Sequence, residues 1–328
     1  MSARTTEVIL NIFIFVGLLI LLFVIGYPQY KEAQPVKIRI GVDKSFGSLP
    51  FYVAEADTTR RYFKIEKVDP EFVTIKGDPL EGLKRGDYDI CSVPWYSLFI
   101  SPSINGDTVK ALSSISFKGF SDAIVIPKGT KMKLLKDLNG KKVGYLIDDS
   151  YLFNLIVPNL ATEKLTKITK IPLSIEELGM ALSNKKVDAI FILEPYRSYM
   201  LYAGDTILDE GLINRYVMPS MPYFAIVMRK SFVKNNRLAS YRLKNVLEDV
   251  LGYLRLHPEI GKNVLVKINE WSADPTFLAS IRMPEYQRLS EIDTKDVGGY
   301  QTFLVRAGIG TCGIKPQEFL FEKIDFRR

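Results

Sequence analysis

The chain has 328 residues, 47% apolar and 25% charged, which excludes a disordered or fibrous polymer and allows about two domains with a sizeable core. Lys and Arg number 44 against 37 Asp and Glu, a formal charge of +7, but the bases are spread thinly. Even the densest run, Lys128 to Lys142 with six lysines, comes without a nucleic-acid-binding motif and reads as solvated surface, so no nucleic acid is expected as a partner. Of the two cysteines, Cys91 sits in an apolar strand. A Cys91–Cys312 disulfide is compatible with the sequence but not dictated by it. No CxxC or Cys/His cluster exists, so neither a metal nor a cofactor is expected.

Val8 to Gly26 carries no charge over 19 residues and one polar residue, Asn11. At about 1.5 Å per residue it nearly spans a hydrocarbon core. Tyr27 and Tyr30 follow at interfacial depth. A secretory signal peptide is the rival reading. The run is long for one, however, and neither a small-residue cleavage site nor a lipoprotein Cys follows at once. An uncleaved signal anchor is therefore expected, membrane-bound through Val8 to Gly26, with Pro28 to Pro35 as a polar linker. Arg4 lies before the span and Lys31, Lys37 and Arg39 after it, so basic flanks do not fix its orientation.

Strands and helices alternate from there. Val36–Val42 is an alternating strand, and Ser48-Leu49-Pro50 opens a helix with Pro in its first turn. Lys67–Ile75 is a strand, Leu80–Lys84 a helix and Tyr88–Val93 a strand. Ala111–Ile115 is strand or helix, and Asp122–Ile126 a strand. A second series runs Leu134–Leu138 (helix), Lys142–Leu146 (strand), a helix from Asp148 and Thr166–Ile171 (strand). A helix with a Ser174/Glu177 capping box follows, then the strand Val187–Leu193 and a helix from Tyr196. Pro222–Lys230 returns as a strand. The remainder reads as mostly helical, with Arg242–Leu256 at helical spacing and Gln317–Lys323 as a last short helix.

Two α/β series imply two parallel-stranded lobes. Each contains one copy of a unit: LKRGDYDICSVPWYSLF from Leu83 and LSNKKVDAIFILEPYRSYM from Leu182. Crossings are expected near Ile126-Pro127 and near Pro219 to Pro222. This division gives residues 1–35 as anchor and linker, 36–126 as the first part of lobe 1 and 127–219 as lobe 2. Residues 220–328 are then the return to lobe 1 with the C-terminal helices. Two crossings make a hinge, and ligands of open α/β sheets sit beyond the carboxyl ends of the strands.

The order of IRIGVDKSFGSLPFYVAEA, YFKIEKVDPEFVTIKGDPLEGLKRGDYDICSV, LLKDLNGKKVGYLIDDSYLFNLIV, LSNKKVDAIFILEPY and RKSFVKNN resembles solute-binding proteins of the nitrate/sulfonate/taurine and thiamine-pyrimidine-precursor type. The resemblance runs from Val36 to the C-terminus and is looser over DVGGYQTFLVRAGIGTCGIKPQEFLF. It implies a two-lobed periplasmic-binding-protein type II fold, here with an N-terminal transmembrane helix. It also implies a small-molecule ligand in the cleft, delivery to an ABC-transporter permease and an extracytoplasmic C-terminal domain. Members are usually cleaved exports or lipoproteins, so the retained span is a departure.

The candidate ligand-binding residues follow the strand ends. Ser45, Phe46 and Ser48 lie at a helix start whose free N–H groups suit an anion, although a serine there also suits capping. Ser92 and Trp95 follow the third strand, Trp95 offering a flat face for stacking or a cover for the core. Phe117 precedes Lys118 and Gly119, a place for an anion or a plain surface loop. Asp149, Ser150 and Tyr151 open the main helix of the second lobe. Asp148 and Asp149 together oppose an anion and favour an amine or ring N–H, while helix capping accounts for one of them. Glu194 ends a strand and needs a partner, either ligand or hinge. Tyr196 mirrors Trp95 across the cleft, and Tyr223 closes the far side. The aromatics near cleft turns, Tyr96 and Phe120 among them, favour a flat heterocycle over a small inorganic anion. The single histidine, His257, precedes a Pro at a helix end, and no Ser/His/Asp or Cys/His set can be built around it, so an enzyme is not expected. A menaquinone-pathway-type enzyme on the same fold, or a ligand-free structural subunit of a membrane complex, are the alternatives; the second would have a cleft filled by its own side chains.

Overall fold

The computed structural model describes residues 3–101, 103–104, 107–309 and 313–326. Twelve strands among them are β1 (Val36–Val42), β2 (Val68–Thr74), β3 (Ile90–Pro94), β4 (Ser103–Ile104), β5 (Asp107–Lys118), β6 (Asp122–Ile126), β7 (Lys142–Leu146), β8 (Thr169–Leu173), β9 (Ala189–Leu193), β10 (Thr206–Glu210), β11 (Ser220–Arg229) and β12 (Glu285–Arg288). They form two sheets. The first runs β12-β5-β11-β3-β1-β2, with β4 paired to β5; the second runs β10-β6-β9-β7-β8. Each has a parallel core, β2-β1-β3 in one and β8-β7-β9 in the other, with antiparallel strands added beyond the third. The central strands β3, β6 and β9 are apolar and buried almost throughout, as strands covered on both faces must be.

The repeated unit is visible in the packing. Asp89 accepts the backbone N–H of Arg39 at 2.9 Å, and its own N–H donates to the Arg39 carbonyl at 2.8 Å. Asp188 treats Lys142 in the same way, with both bonds at 2.8 Å. Two residues beyond each contact stands a glycine. A Cβ on Gly41 would lie 2.8 Å from the Tyr88 ring, and one on Gly144 would lie 2.7 Å from Leu173 and 3.3 Å from Val187. Both glycines therefore make room for the residue that precedes the aspartate.

The first crossing lies between Lys118 and Asp122, because β6 belongs to the second sheet. The expected crossing at Ile126-Pro127 is thus one strand too late: a buried apolar strand fits either sheet, and sequence alone did not choose. The return crossing lies between Glu210 and Ser220. Asp122 ties the two together, accepting the N–H groups of Leu212 at 2.8 Å and Ile213 at 3.2 Å. Burial raises the Asp122 pKa to about 6 despite those bonds.

Strand β8 starts at Thr169 rather than Thr166, because the N–H groups of Thr166 and Lys167 go to the Asn139 side chain instead of the ladder. Strand β12 falls in a stretch expected to be helical. Residues 3–33 are helical: Ala3–Leu21, a π-helical segment Leu22–Gly26, then Tyr27–Ala33. The expected linker from Pro28 is therefore mostly helix. Its end is held by Arg242, buried on the helix Arg237–Leu256, which donates to the carbonyls of Gln34 at 2.9 Å, Lys67 at 3.2 Å and Glu32. Among the described residues, no helix is long and apolar enough to cross a membrane. Cys91 is a buried free thiol, and Cys312 lies outside the described residues.

Candidate functional site

A cavity of about 570 Å³ opens between the lobes at the carboxyl ends of the parallel strands. The turns after β1, β2, β3, β7 and β9 line it, together with Tyr223 and Phe224 of β11. Of the residues expected there, Ser45, Phe46, Ser92, Asp149, Glu194, Tyr196 and Tyr223 do line it. Ser48, Trp95, Phe117, Ser150 and Tyr151 do not.

The first turn is occupied by its own carboxylate. Asp43 Oδ1 accepts from the Ser45 N–H at 3.0 Å, the Ser45 hydroxyl at 2.5 Å and the Ser48 hydroxyl at 2.8 Å. The Ser48 hydroxyl also accepts from the Asp43 N–H at 3.0 Å, and Ser48 is fully buried. Ser48 is therefore neither a ligand contact nor a side-chain cap; it braces Asp43. The signal was present in the sequence, since Asp followed by Ser at the second position is an Asx-turn pattern.

Trp95 faces the wrong way to be a cleft wall. It is fully buried, its Nε1 donates to Ser114 Oγ at 2.9 Å, and its ring stacks on Phe99 at 5.7 Å. Trp95 begins the helix Trp95–Ile100, where the next residue is turned by about 100°. That next residue, Tyr96, lines the cleft. Phe117 lies behind the lining, between Phe46 (6.3 Å) and Tyr223 (4.8 Å). Lys118 pairs with Glu285.

On the second lobe, Asp149 precedes the helix Ser150–Ile156 but makes no cap bond. Instead, buried Asp149 accepts a hydrogen bond from the Tyr223 hydroxyl across the cleft. Desolvation raises its pKa to about 7, opposed by that bond and aided by Asp148. Asp148 is exposed at the rim, its pKa raised by desolvation and by Asp43 opposite. Capping thus explains neither carboxylate. Tyr151 packs against Tyr96 with ring centroids 3.7 Å apart and the rings tilted by 31°, a second contact between lobes, and Ser150 begins the helix outside the lining.

Glu194 is buried at the end of β9. Its Oε1 accepts from Ser198 at 2.9 Å and Arg197 at 3.2 Å, and Arg197 continues to Glu210, which Arg282 also meets at 3.4 Å. The partners are local, on the helix Tyr196–Tyr202, rather than on the other lobe. Burial pushes the Glu194 pKa up to about 7, and its Oε2 has no partner among the described residues. Tyr196 lines the cleft, backed edge-on at 5.6 Å by Trp271, which also stacks on Tyr199 at 4.9 Å. Asp43, Lys44, Asp78 and Phe224 also line the cleft and were not anticipated. Asp78 was readable as the cap of the helix Pro79–Arg85, with bonds from Leu80 at 2.8 Å and Glu81 at 3.4 Å.

A family model described as NMT1/THI5 like matches residues 45–259. The periplasmic aliphatic sulphonate binding protein SsuA from Escherichia coli superposes with a TM-score of 0.66 at 18% identity, covering 90% of this chain and all of that one. The alkanesulfonate-binding protein SsuA from Xanthomonas axonopodis pv. citri, solved with MOPS, gives 0.64 at 17% identity, with 88% and 99% covered. The desulfurization enzyme DSZB gives 0.64 at 10% identity, with 88% and 97% covered. No curated protein matches the chain. The two sheets, the double crossing and the cleft at the strand ends are those of the type II periplasmic-binding-protein fold. The model match covers well over half of the sequence, and the chain belongs to the NMT1/THI5-like family.

Proposed function

We propose that this protein is a membrane-anchored, extracytoplasmic solute-binding protein. It captures a small ligand, aromatic, heterocyclic or anionic, between its lobes and delivers it to an ABC-transporter permease. The carrying observation is the cleft itself: about 570 Å³ of open volume between two hinged lobes, within the usual few-hundred-Å³ range of ligand sites. A ligand-free structural subunit would fill that space with its own side chains. The similarity to binding proteins for sulfonates supports the reading, and the likeness to DSZB is weaker in identity. No His or Cys lies among the cleft-lining residues, and His257 pairs with Glu259 at the surface.

Two features support the anchor. The helical run from Ala3 to Ala33, divided into three segments none of which alone is long and apolar enough to cross a membrane, encloses Val8 to Gly26, and side chains from Ile12 to Ile25 stand exposed on it, a row of large apolar groups. Arg242 fastens the end of that run to the first lobe. Screening the full-length protein for ligand-induced thermal stabilisation tests the capture reading. Stabilisation by a subset of small compounds is expected; a flat response to every class of compound would sink it. Protease protection in intact spheroplasts tests the topology, with the C-terminal domain expected to be cleaved from outside.

A further inference from the structure

We infer that the ligand of the cleft is a planar nitrogen cation, an amidinium or a protonated aminoheterocycle that presents N–H donors, and that anions are excluded. This rests on the capture reading above and specifies its ligand class.

Charge is the first observation. The lining carries the carboxyl groups of Asp43, Asp78, Asp148, Asp149 and Glu194 against one base, Lys44. Lys44 is engaged with Glu270 at 3.2 Å. Among the described residues, Asp43, Asp78, Asp148 and Asp149 form no salt bridge. A fixed anion in the cleft would meet this field with Lys44 alone to offset it, whereas a cation would relieve it.

The second observation is independent of charge count. At the first turn, the natural seat for an anion at a helix start, three donors are already taken by the Asp43 carboxylate: the Ser45 N–H and the hydroxyls of Ser45 and Ser48. An anionic ligand would have to displace it.

The third observation concerns two unmet polar atoms, a hydroxyl that can donate or accept and a carboxylate oxygen that, when ionised, can only accept. Ser92 and Glu194 line the cleft, are each more than nine-tenths buried, and leave Ser92 Oγ and Glu194 Oε2 without a partner among the described residues. A buried polar atom left unpaired is costly, and a ligand N–H reaching it removes that cost. Glu194 Oε2 calls for a donor whenever the carboxylate is ionised. Tyr96, Tyr196 and Phe224 line the same opening, and aromatic rings there suit a flat cation through cation–π attraction.

The test uses full-length protein in detergent at pH 8, titrated calorimetrically with three isosteric probe sets. These are aromatic cations (benzamidine, 4-aminopyridine), the neutral benzamide, and aromatic anions (benzenesulfonate, benzoate). Saturable binding of a cationic probe, at least tenfold tighter than benzamide and with no anion binding, is expected. Asp148→Asn, at the exposed rim, and Asp149→Asn should each weaken the cation at least threefold and leave benzamide unchanged; Asp148→Asn keeps the test sound should Asp149→Asn misfold. Binding of an anionic or neutral probe more tightly than the cations overturns the charge assignment while leaving ligand capture intact. No binding in any set overturns both.

Discussion

Leu83–Phe99 and Leu182–Met200 read alike, and up to their prolines they are built alike. Leu83 and Leu182 are buried, Asp89 and Asp188 grip the first strand of the parallel core of their own sheet, and Gly41 and Gly144 admit the neighbour of each aspartate. Beyond the prolines the copies part. Trp95 goes into the core of the first lobe, while Tyr196 stays at the cleft. The first unit keeps Pro94 within its strand, paired with Phe224, and starts its helix at once; the second ends its strand at Leu193 and inserts Glu194 before Pro195. Similar sequence therefore fixes the framework of both lobes and leaves the direction of the aromatic to the local helix start.

The comparison is broken most forcefully at Trp95. Trp95→Ala would empty a fully enclosed site and strand Ser114 Oγ, costing about 3–5 kcal/mol of stability by denaturant titration. Ligand affinity of the folded fraction should not change. A normal stability with lost binding would show that Trp95 does face the cleft.

Asp149 comes next. A carboxyl whose folded pKa is raised favours folding below its unfolded pKa, and that advantage is lost as pH rises through the folded value. For Asp149 the window runs from about 4, the unfolded value, up to about 7. Asp149→Asn keeps an acceptor for the Tyr223 hydroxyl and carries no charge. Without ligand it should be more stable than the parent by about 4 kcal/mol at pH 8, the difference vanishing near pH 4. Thermal melts across that range check this, and a difference that grows on acidification would contradict it.

Tyr196 is the counterpart to Trp95. Tyr196→Ala removes a cleft wall that Trp271 supports edge-on, and should weaken a stacked ligand about tenfold, about 1.4 kcal/mol. The loss of stability should be well below that of Trp95→Ala. Calorimetry on both variants reads the two effects in opposite order.

Much of this was legible. Strand periodicity placed β1, β6 and β7 to the residue, and the Ser174/Glu177 box opens its helix as its pattern says, with Glu177 accepting the Ser174 N–H at 3.0 Å. Those features are local. Trp95 was misplaced because its direction depends on where a helix begins relative to a sheet. Strand β12 was invisible because EYQR has no apolar alternation; it is held by the backbone of β5. Trp271 was missed because it reaches Tyr196 only when residues 271–282 pack on the other lobe, where Ser198 donates to the Ser280 carbonyl at 2.9 Å. The Asp43 turn, by contrast, was local and readable.

The smallest effects test the shared part of the two units. Asp89→Ala leaves the Arg39 N–H without its acceptor, and Asp188→Ala does the same to Lys142. Each should cost about 1 kcal/mol, because one partly exposed backbone donor can turn to water. Asp89 also meets the Arg39 guanidinium at 3.1 Å, but Arg39 is well exposed and that pair adds little. The two costs should thus agree within about 0.5 kcal/mol, and they should add in the double variant because the sites sit in different sheets. Equal costs would mean that the aspartates do one job in two lobes, set apart from the aromatic ends where the lobes diverge. A cost confined to one copy would mean that the resemblance between the units stops short of their energetics.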